Sequence, residues 1–192
     1  MAASTRRYYG FNLTAAAFQR DVSGTATDVA LLYANKVELQ PDEETITFEG
    51  DGQTKNIYIT KGLTVQYTPD VIDLAALSTM FGKNEITASL PTGLAALTWM
   101  LDQTEAGGVA AGFWADAQAI KNVAGVESAV SIRIWVPLGT LTIGQPPGLA
   151  TAAKADQMVM RLAAVRTSVD VAGDALPTVP SGGAYYAIAE KS

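Results

Sequence analysis

Two groups of carboxylates are the side chains of this sequence best suited to chemistry. Asp42, Glu43 and Glu44 are adjacent, and Asp70 and Asp73 are separated by two residues. Paired carboxylates can act as general acid and base or bind a metal ion. Adjacent acids on a turn repel each other and splay apart, so we interpret the first group as a solvated turn. The second group is placed to cap the start of a helix, and nothing near it completes a metal-coordination shell.

The residue types most used in catalysis are missing from the chain. Its 192 residues include no histidine and no cysteine, which removes the commonest general base near neutral pH and all thiolate chemistry. Gly50-Asp51-Gly52 is a turn signal, and it lacks the spacing of a calcium loop and the Gly-Lys-Ser/Thr sequence of a phosphate loop. We therefore predict no catalytic residue, no metal ion and no cofactor, and we expect that the protein is not an enzyme.

Three tryptophans, Trp99, Trp114 and Trp135, suggest a different chemistry. Exposed aromatic rings beside polar groups can form a sugar-binding platform, whereas aromatic residues on strands are more often core. A carbohydrate-binding or adhesive β-sandwich is therefore one alternative function, and it requires exposed rings. An enzyme with a carboxylate pair is another, and it requires two acids that converge in a pocket.

The composition limits the partners. The net charge is −6, charged residues make up 17% of the chain and hydrophobic residues 48%. There is no basic run that would grip phosphates. Low charge with ample apolar surface indicates that partners cover part of the outside. No stretch resembles a signal peptide or a membrane helix, so we expect no membrane partner and a soluble chain made in the cytoplasm.

Apolar–polar alternation predicts a mainly β protein with one flanking α-helix, in a sandwich or barrel. The predicted strands span residues 29–39, 45–49, 55–60, 63–68, 85–90, 109–121, 129–138 and 157–166, and residues 94–101 fit a short helix or a strand. We expect Pro41 to end the first strand and Lys61-Gly62 to form a turn. The helix is expected to begin at Asp70 or Asp73, to place Leu74, Leu77 and Phe81 on one face with Met80 beside them, and to end at Gly82. Residues 1–192 form one domain, with possible arms at 1–27 and 173–192.

Three stretches of the chain follow one another in a characteristic order. They are Thr47-Phe48-Glu49-Gly50-Asp51-Gly52, then Lys55 to Val65 (Lys-Asn-Ile-Tyr-Ile-Thr-Lys-Gly-Leu-Thr-Val), then Asp70 to Gly82 (Asp-Val-Ile-Asp-Leu-Ala-Ala-Leu-Ser-Thr-Met-Phe-Gly). This extended hairpin leading into one helix resembles the major tail proteins of long-tailed bacteriophages. The later predicted strands fit the rest of such a domain, so the resemblance covers most of the chain.

The resemblance implies a virion structural protein. Subunits of that family form hexameric rings, and strands from neighbouring subunits join into a β-barrel around a lumen. The rings stack into the tail tube, which meets tail terminator and tail tip proteins, holds the tape measure protein, and lets DNA pass on ejection without sequence-specific binding. An acidic chain could line that lumen and keep DNA from adhering. The inner tube of a contractile injection system would follow the same fold logic and stays an alternative.

Two sets of residues are candidates for contacts between copies. The length and polarity of the hairpin predict contacts between rings through Glu49, Asp51, Gln53, Lys55 and Lys61. The two aromatic terminal segments are predicted to be arms that contact neighbouring subunits, through Arg6, Arg7, Tyr8, Tyr9, Tyr185 and Tyr186.

Overall fold

The structure, a computed structural model, describes residues 6–29, 34–50, 53–69, 71, 73–83, 86–96, 108–145, 158–177 and 179–191. The described part contains eight strands and one helix: β1 (Arg6–Asp21), β2 (Ala26–Val29), β3 (Ala34–Gly50), β4 (Gln53–Pro69), α1 (Leu74–Phe81), β5 (Val109–Val123), β6 (Val126–Gln145), β7 (Val159–Ala164) and β8 (Ala187–Glu190). The expected mainly β fold with one helix is confirmed.

All strand pairs are antiparallel, and they form one sheet in the order β2-β1-β5-β6-β7-β4-β3. β6 pairs with β5 along one edge, and its other edge carries β8 at Ile132–Trp135 and β7 from Gly139 onwards. The sheet folds back on itself, because Phe18 of β1 and Tyr67 of β4 have ring centroids 5.4 Å apart although β5, β6 and β7 lie between their strands. Two layers therefore pack face to face.

The core lies between these layers. Phe18, Tyr67 and Phe113 are fully buried, and Phe113 lies 5.0 Å from Phe18 and 6.3 Å from Tyr67 between ring centroids. Tilted and edge-to-face aromatic pairs contribute about 0.5–1.5 kcal/mol each beyond the area that they bury. The other core side chains are Phe81 together with aliphatic residues and Met, which include Val65, Val136, Leu141, Met160 and Leu162.

Helix α1 has the ends that the sequence predicts. The side chain of Asp73 accepts hydrogen bonds from the backbone N–H groups of Ala75 and Ala76 at 2.9 and 3.1 Å, and Gly82 adopts the left-handed conformation at φ 65°. Such caps satisfy backbone groups that a helix end leaves unpaired. Leu77, Met80 and Phe81 are buried, whereas Leu74, in the first turn of the same helix, is exposed.

The predicted turn at Lys61-Gly62 and the predicted strand end at Pro41 are wrong. β3 continues through Pro41, and β4 continues through Lys61 and Gly62. Asp42 stands opposite Gly62 and Glu43 opposite Thr60, so Lys61 is the extra residue of a β-bulge. Proline is tolerated because β3 lies at the edge of the sheet. The four short strands expected between residues 29 and 68 are instead one long hairpin.

Other predicted strands differ in their bounds. The strands expected at 109–121 and 129–138 are confirmed as parts of the longer β5 and β6, and β7 occupies 159–164 of the predicted 157–166. The strand expected at 85–90 is wrong, because among residues 86–90 only Ile86 forms an isolated bridge. Residues 94–96 are irregular, and residues 97–101, like 30–33, Asp51, Gly52, Glu85 and Gln157, lie outside the described residues.

Candidate functional site

The outer half of the long hairpin holds the predicted ring-contact residues. β7 pairs with β4 only at Leu63–Tyr67, so residues 43–50 and 53–62 pair with each other and with no third strand among the described residues. The backbone of Glu49, Gln53 and Lys55 lies in this outer hairpin, and Asp51 lies outside the described residues.

Lys61 lies at the base of the outer hairpin, at the bulge. Its ammonium group pairs with the Glu44 carboxylate across the two strands at 2.7 Å, and both side chains are about half exposed. Its carbonyl oxygen accepts a hydrogen bond of 2.9 Å from the Tyr185 hydroxyl. The bulge therefore links the hairpin to the segment that precedes β8, and this joins residues from both predicted sets. The neighbouring Tyr186 is exposed.

The predicted arms are held by their own chain in the structure. Tyr8 and Tyr9 alternate along β1, and their hydroxyls donate to Glu190 and to Glu127 respectively. The hydrogen bond to the Glu127 carboxylate raises the pKa of Tyr9. Arg7 is exposed, and the backbone of Arg6 pairs with β5. Whether these residues also contact neighbouring copies stays a prediction.

A charged cluster that we did not predict lies in the middle of β5 and β6. Asp116 is only 4% exposed, and its carboxylate accepts hydrogen bonds from Nε and Nη2 of Arg133 at 2.7 and 2.9 Å and from Nζ of Lys191 at 2.6 Å. The hydrogen bonds from Arg133 hold the pKa of Asp116 below its usual range. Desolvation by burial acts in the opposite direction but has a smaller effect. The cluster joins three strands of the sheet, because Lys191 directly follows β8.

The same cluster covers aromatic side chains. The Arg133 guanidinium carbon lies 4.1 Å from the ring centroid of Trp114, close enough for a cation–π interaction. The indole N–H of Trp135 donates to the side-chain oxygen of Gln19 at 3.0 Å. Both tryptophans are half-buried, and Trp99 lies outside the described residues. The carbohydrate-binding alternative, which requires exposed rings, stays a prediction.

The fold defines the class of the protein as mainly β, with one antiparallel sheet that folds back on itself and one helix. No protein-family model matches the chain, and a search of curated proteins gives no significant relative. Within the described residues, no group of three or more acidic side chains could hold a metal ion. Across the same part of the chain, no helix has the length and apolarity needed to cross a membrane.

Proposed function

We propose that this protein is a structural subunit that assembles with copies of itself into stacked rings, as the tail tubes of long-tailed bacteriophages do. The observation that carries the proposal is the outer half of the β3–β4 hairpin, residues 43–50 and 53–62, which extends beyond the strand that supports its base. Strand edges with unpaired N–H and C=O groups are templates for pairing with another chain.

The dimensions of the outer hairpin support a role between copies. Eight residues of β3 span about 27 Å at the rise of an antiparallel strand. A two-stranded hairpin without further packing is only marginally stable in water. A chain that builds such a hairpin gains stability from it when a neighbour packs against it, and in a homopolymer the neighbour is another copy.

A second strand edge, part of which has no paired strand among the described residues, supports the same role. Residues 6–17 of β1 pair with β5 on one side, whereas β2 pairs with β1 only at Phe18–Asp21 on the other. No residue from Tyr8 to Gln19 is charged, and Phe11 on this edge is 56% exposed. Two different open surfaces on one chain permit head-to-tail contacts, which close into rings or continue as filaments.

In this role the chain contributes to a conduit for DNA on ejection. The net charge of −6 suits a lumen to which DNA does not adhere. The tape measure protein inside the tube, and terminator and tip proteins at its ends, are the further partners that the role implies, and the site of action is the virion tail.

Negative-stain electron microscopy and light scattering of the purified full chain test the proposal. We expect rings or tubes of uniform diameter. A monomer that persists at high protein concentration and across a wide range of salt concentrations would overturn it.

A shortened hairpin tests the observation that carries the proposal. Replacing residues 47–56 by Asn-Gly leaves Ile46 opposite Ile57 with a favoured two-residue turn, and keeps every core residue of the part of the chain whose side chains the structure describes. We expect a folded subunit that no longer assembles. The matched control is Lys36→Ala, a change of an exposed residue near the other end of β3, which should assemble normally. A shortened subunit that still forms tubes would show that the outer hairpin is not the contact.

A further inference from the structure

Strand β8 is a short addition to the edge of β6. Its four residues, Ala187–Glu190, pair antiparallel with Ile132–Trp135, and all four are exposed. The register places Ala187 opposite Trp135, Ile188 opposite Ile134, Ala189 opposite Arg133 and Glu190 opposite Ile132. The next residue, Lys191, continues the pairing, because its N–H donates to the Ser131 carbonyl at 2.8 Å.

On one face of the sheet, β8 is held by an acidic and an apolar side chain. The Glu190 carboxylate accepts hydrogen bonds from Lys121, with Nζ–O distances of 2.6 and 2.9 Å, and from the Tyr8 hydroxyl. Ile188 lines an apolar cavity of about 420 Å³ together with Phe11, Ile132 and Ile134. Ile188 is nevertheless 61% exposed, so its own chain buries it incompletely.

On the opposite face, β8 is held by a basic side chain. Nζ of Lys191 lies 2.6 Å from a carboxylate oxygen of the buried Asp116. Ala187 and Ala189 carry small side chains opposite Trp135 and Arg133, the two large residues of this face. Alternate residues of a strand point to opposite faces of the sheet. From residue 187 to residue 191, the β6 edge therefore matches a small, an apolar, a small, an acidic and a basic side chain in succession.

This arrangement is a strand-recognition site of the β-augmentation kind, in which backbone bonds give affinity and side-chain pockets give specificity. We propose that the site exchanges strands between copies: in the assembly that we propose above, the β6 edge at Ile132–Trp135 binds residues 187–191 of a second copy. The charges identify the occupant. Lys121 on one face and Asp116 on the other complement Glu190 and Lys191, and every copy carries this acid–base pair.

The two ion pairs that hold the strand differ in burial. The Lys121–Glu190 pair is partly exposed, and exposed ion pairs contribute little each. The carboxylate of the Asp116–Lys191 pair is buried, so release of Lys191 is offset when the same pair forms again with a second copy. Ala184 is anchored by its bridge to Thr167, and Tyr185 by its hydrogen bond to the Lys61 carbonyl, so residues 186–191 form the exchanging segment. Six extended residues span at most about 22 Å, which limits the exchange to a directly adjacent subunit. In an assembly, exchange trades each contact for an identical one, which makes it a low-cost route to association.

Charge reversal in two full-length variants tests the exchange. Glu190→Lys and Lys121→Glu each place like charges together within one chain and between identical copies. When the two variants are mixed, only strands that pass between copies bring opposite charges together. The double variant with both changes in one chain controls for folding, and Lys36→Glu mixed with Glu38→Lys, an ion pair within β3, controls for charge reversal as such.

Hydrogen exchange at the amides of residues 187–191 is the measurement. We expect exchange about tenfold faster than wild type in either single variant, with near-wild-type protection in the double variant and in the mixture. Two results would overturn the inference: single variants that retain full protection, or a mixture that shows only the average of its components. Microscopy of the wild type reports separately on the proposed function, so tubes without recovery in the mixture would refute the exchange alone.

Discussion

Replacing Asp116 by Asn should lower the stability of the subunit by about 2–3 kcal/mol. The change keeps the size of the side chain but removes its charge, and it turns an N–H donor toward a cation. A hydrogen bond to a charged group contributes about 1.5–3 kcal/mol, and breaking a fully buried ion pair costs about 3–5 kcal/mol. The loss here is smaller because the side chains of Arg133 and Lys191 are 36% and 49% exposed and recover part of their hydration.

The pH dependence of this difference separates the ionic effect from a packing defect. Folding lowers the pKa of Asp116. The contribution of its charge to the free energy of unfolding is therefore fully present above the pKa of an unfolded aspartate, about 4. It is lost as the pH falls through the lower pKa of the folded state. The stability of wild type should therefore fall toward that of the Asn variant only in the acidic range.

Urea unfolding of both proteins at one concentration, at several pH values from neutral to acidic, measures the difference. Equal concentration matters because the proposed assembly would make the midpoint depend on concentration. The corresponding fall in Tm is roughly 5–10 °C for a chain of this length. Glu38→Gln, which breaks an exposed pair with Lys36, is the matched control and should change stability by less than about 0.5 kcal/mol. A D116N variant within about 0.5 kcal/mol of wild type at neutral pH, or a difference that does not vary with pH, would refute this reasoning.

Three further changes test the geometry of strands and turns. Ala124 has a left-handed backbone at φ 52° in the β5–β6 turn, so Ala124→Asn should raise the free energy of unfolding by about 0.5–1 kcal/mol in a urea titration, and a loss would contradict it. A Cβ at Gly139 would lie 2.6 Å from the Ala163 carbonyl oxygen, so Gly139→Ala should lower the free energy of unfolding by about 1–3 kcal/mol. An unchanged value would show that the two strands move apart without cost. Tyr185→Phe removes the bond to the Lys61 carbonyl and should speed amide exchange at the hairpin base about fivefold, whereas an unchanged rate would show that the bond does not hold the hairpin.

Local signals were sufficient for the helix and for the strands without irregularities. Asp73 and Gly82 cap α1 through hydrogen bonds to residues close to them in the sequence, so both ends of the helix can be predicted from the local sequence. The period-two alternation of residues 63–68 and 130–136 marks strand segments whose two faces meet different surroundings.

Bulges explain why other strands were predicted poorly. In β1, register shifts between Tyr9 and Asn12 and between Leu13 and Ala15 each insert an extra residue, which moves the alternation to the other face. The segment therefore has no clear period, although all of it is strand. The bulge at Lys61 had the same effect on the hairpin, where a local reading of Lys61-Gly62 suggested a turn.

The Asp116 cluster brings together residues that are far apart in the sequence. Part of it could nevertheless have been predicted from the turn between β5 and β6, which we did not assign. Ala124-Gly125 joins β5 and β6 with Val123 opposite Val126. Regular antiparallel pairing from that turn places Asp116 opposite Arg133, and the structure has this register. Lys191 could not be placed in this way, because the strand that carries it is separated from β6 by β7 and a long irregular segment.

The two open edges of the sheet are protected to different degrees, and this difference bears on how copies would meet in the proposed assembly. The outer edge of β3 carries charged residues on both sides of Pro41, which are features that oppose uncontrolled strand pairing. The edge of β1 has no charge from Tyr8 to Gln19, and only its bulges interrupt it. A regular strand of a foreign chain would not match those bulges, whereas a surface that evolved with them could. An edge that is apolar but irregular therefore favours one specific neighbour over general aggregation, as a repeating assembly of identical subunits requires.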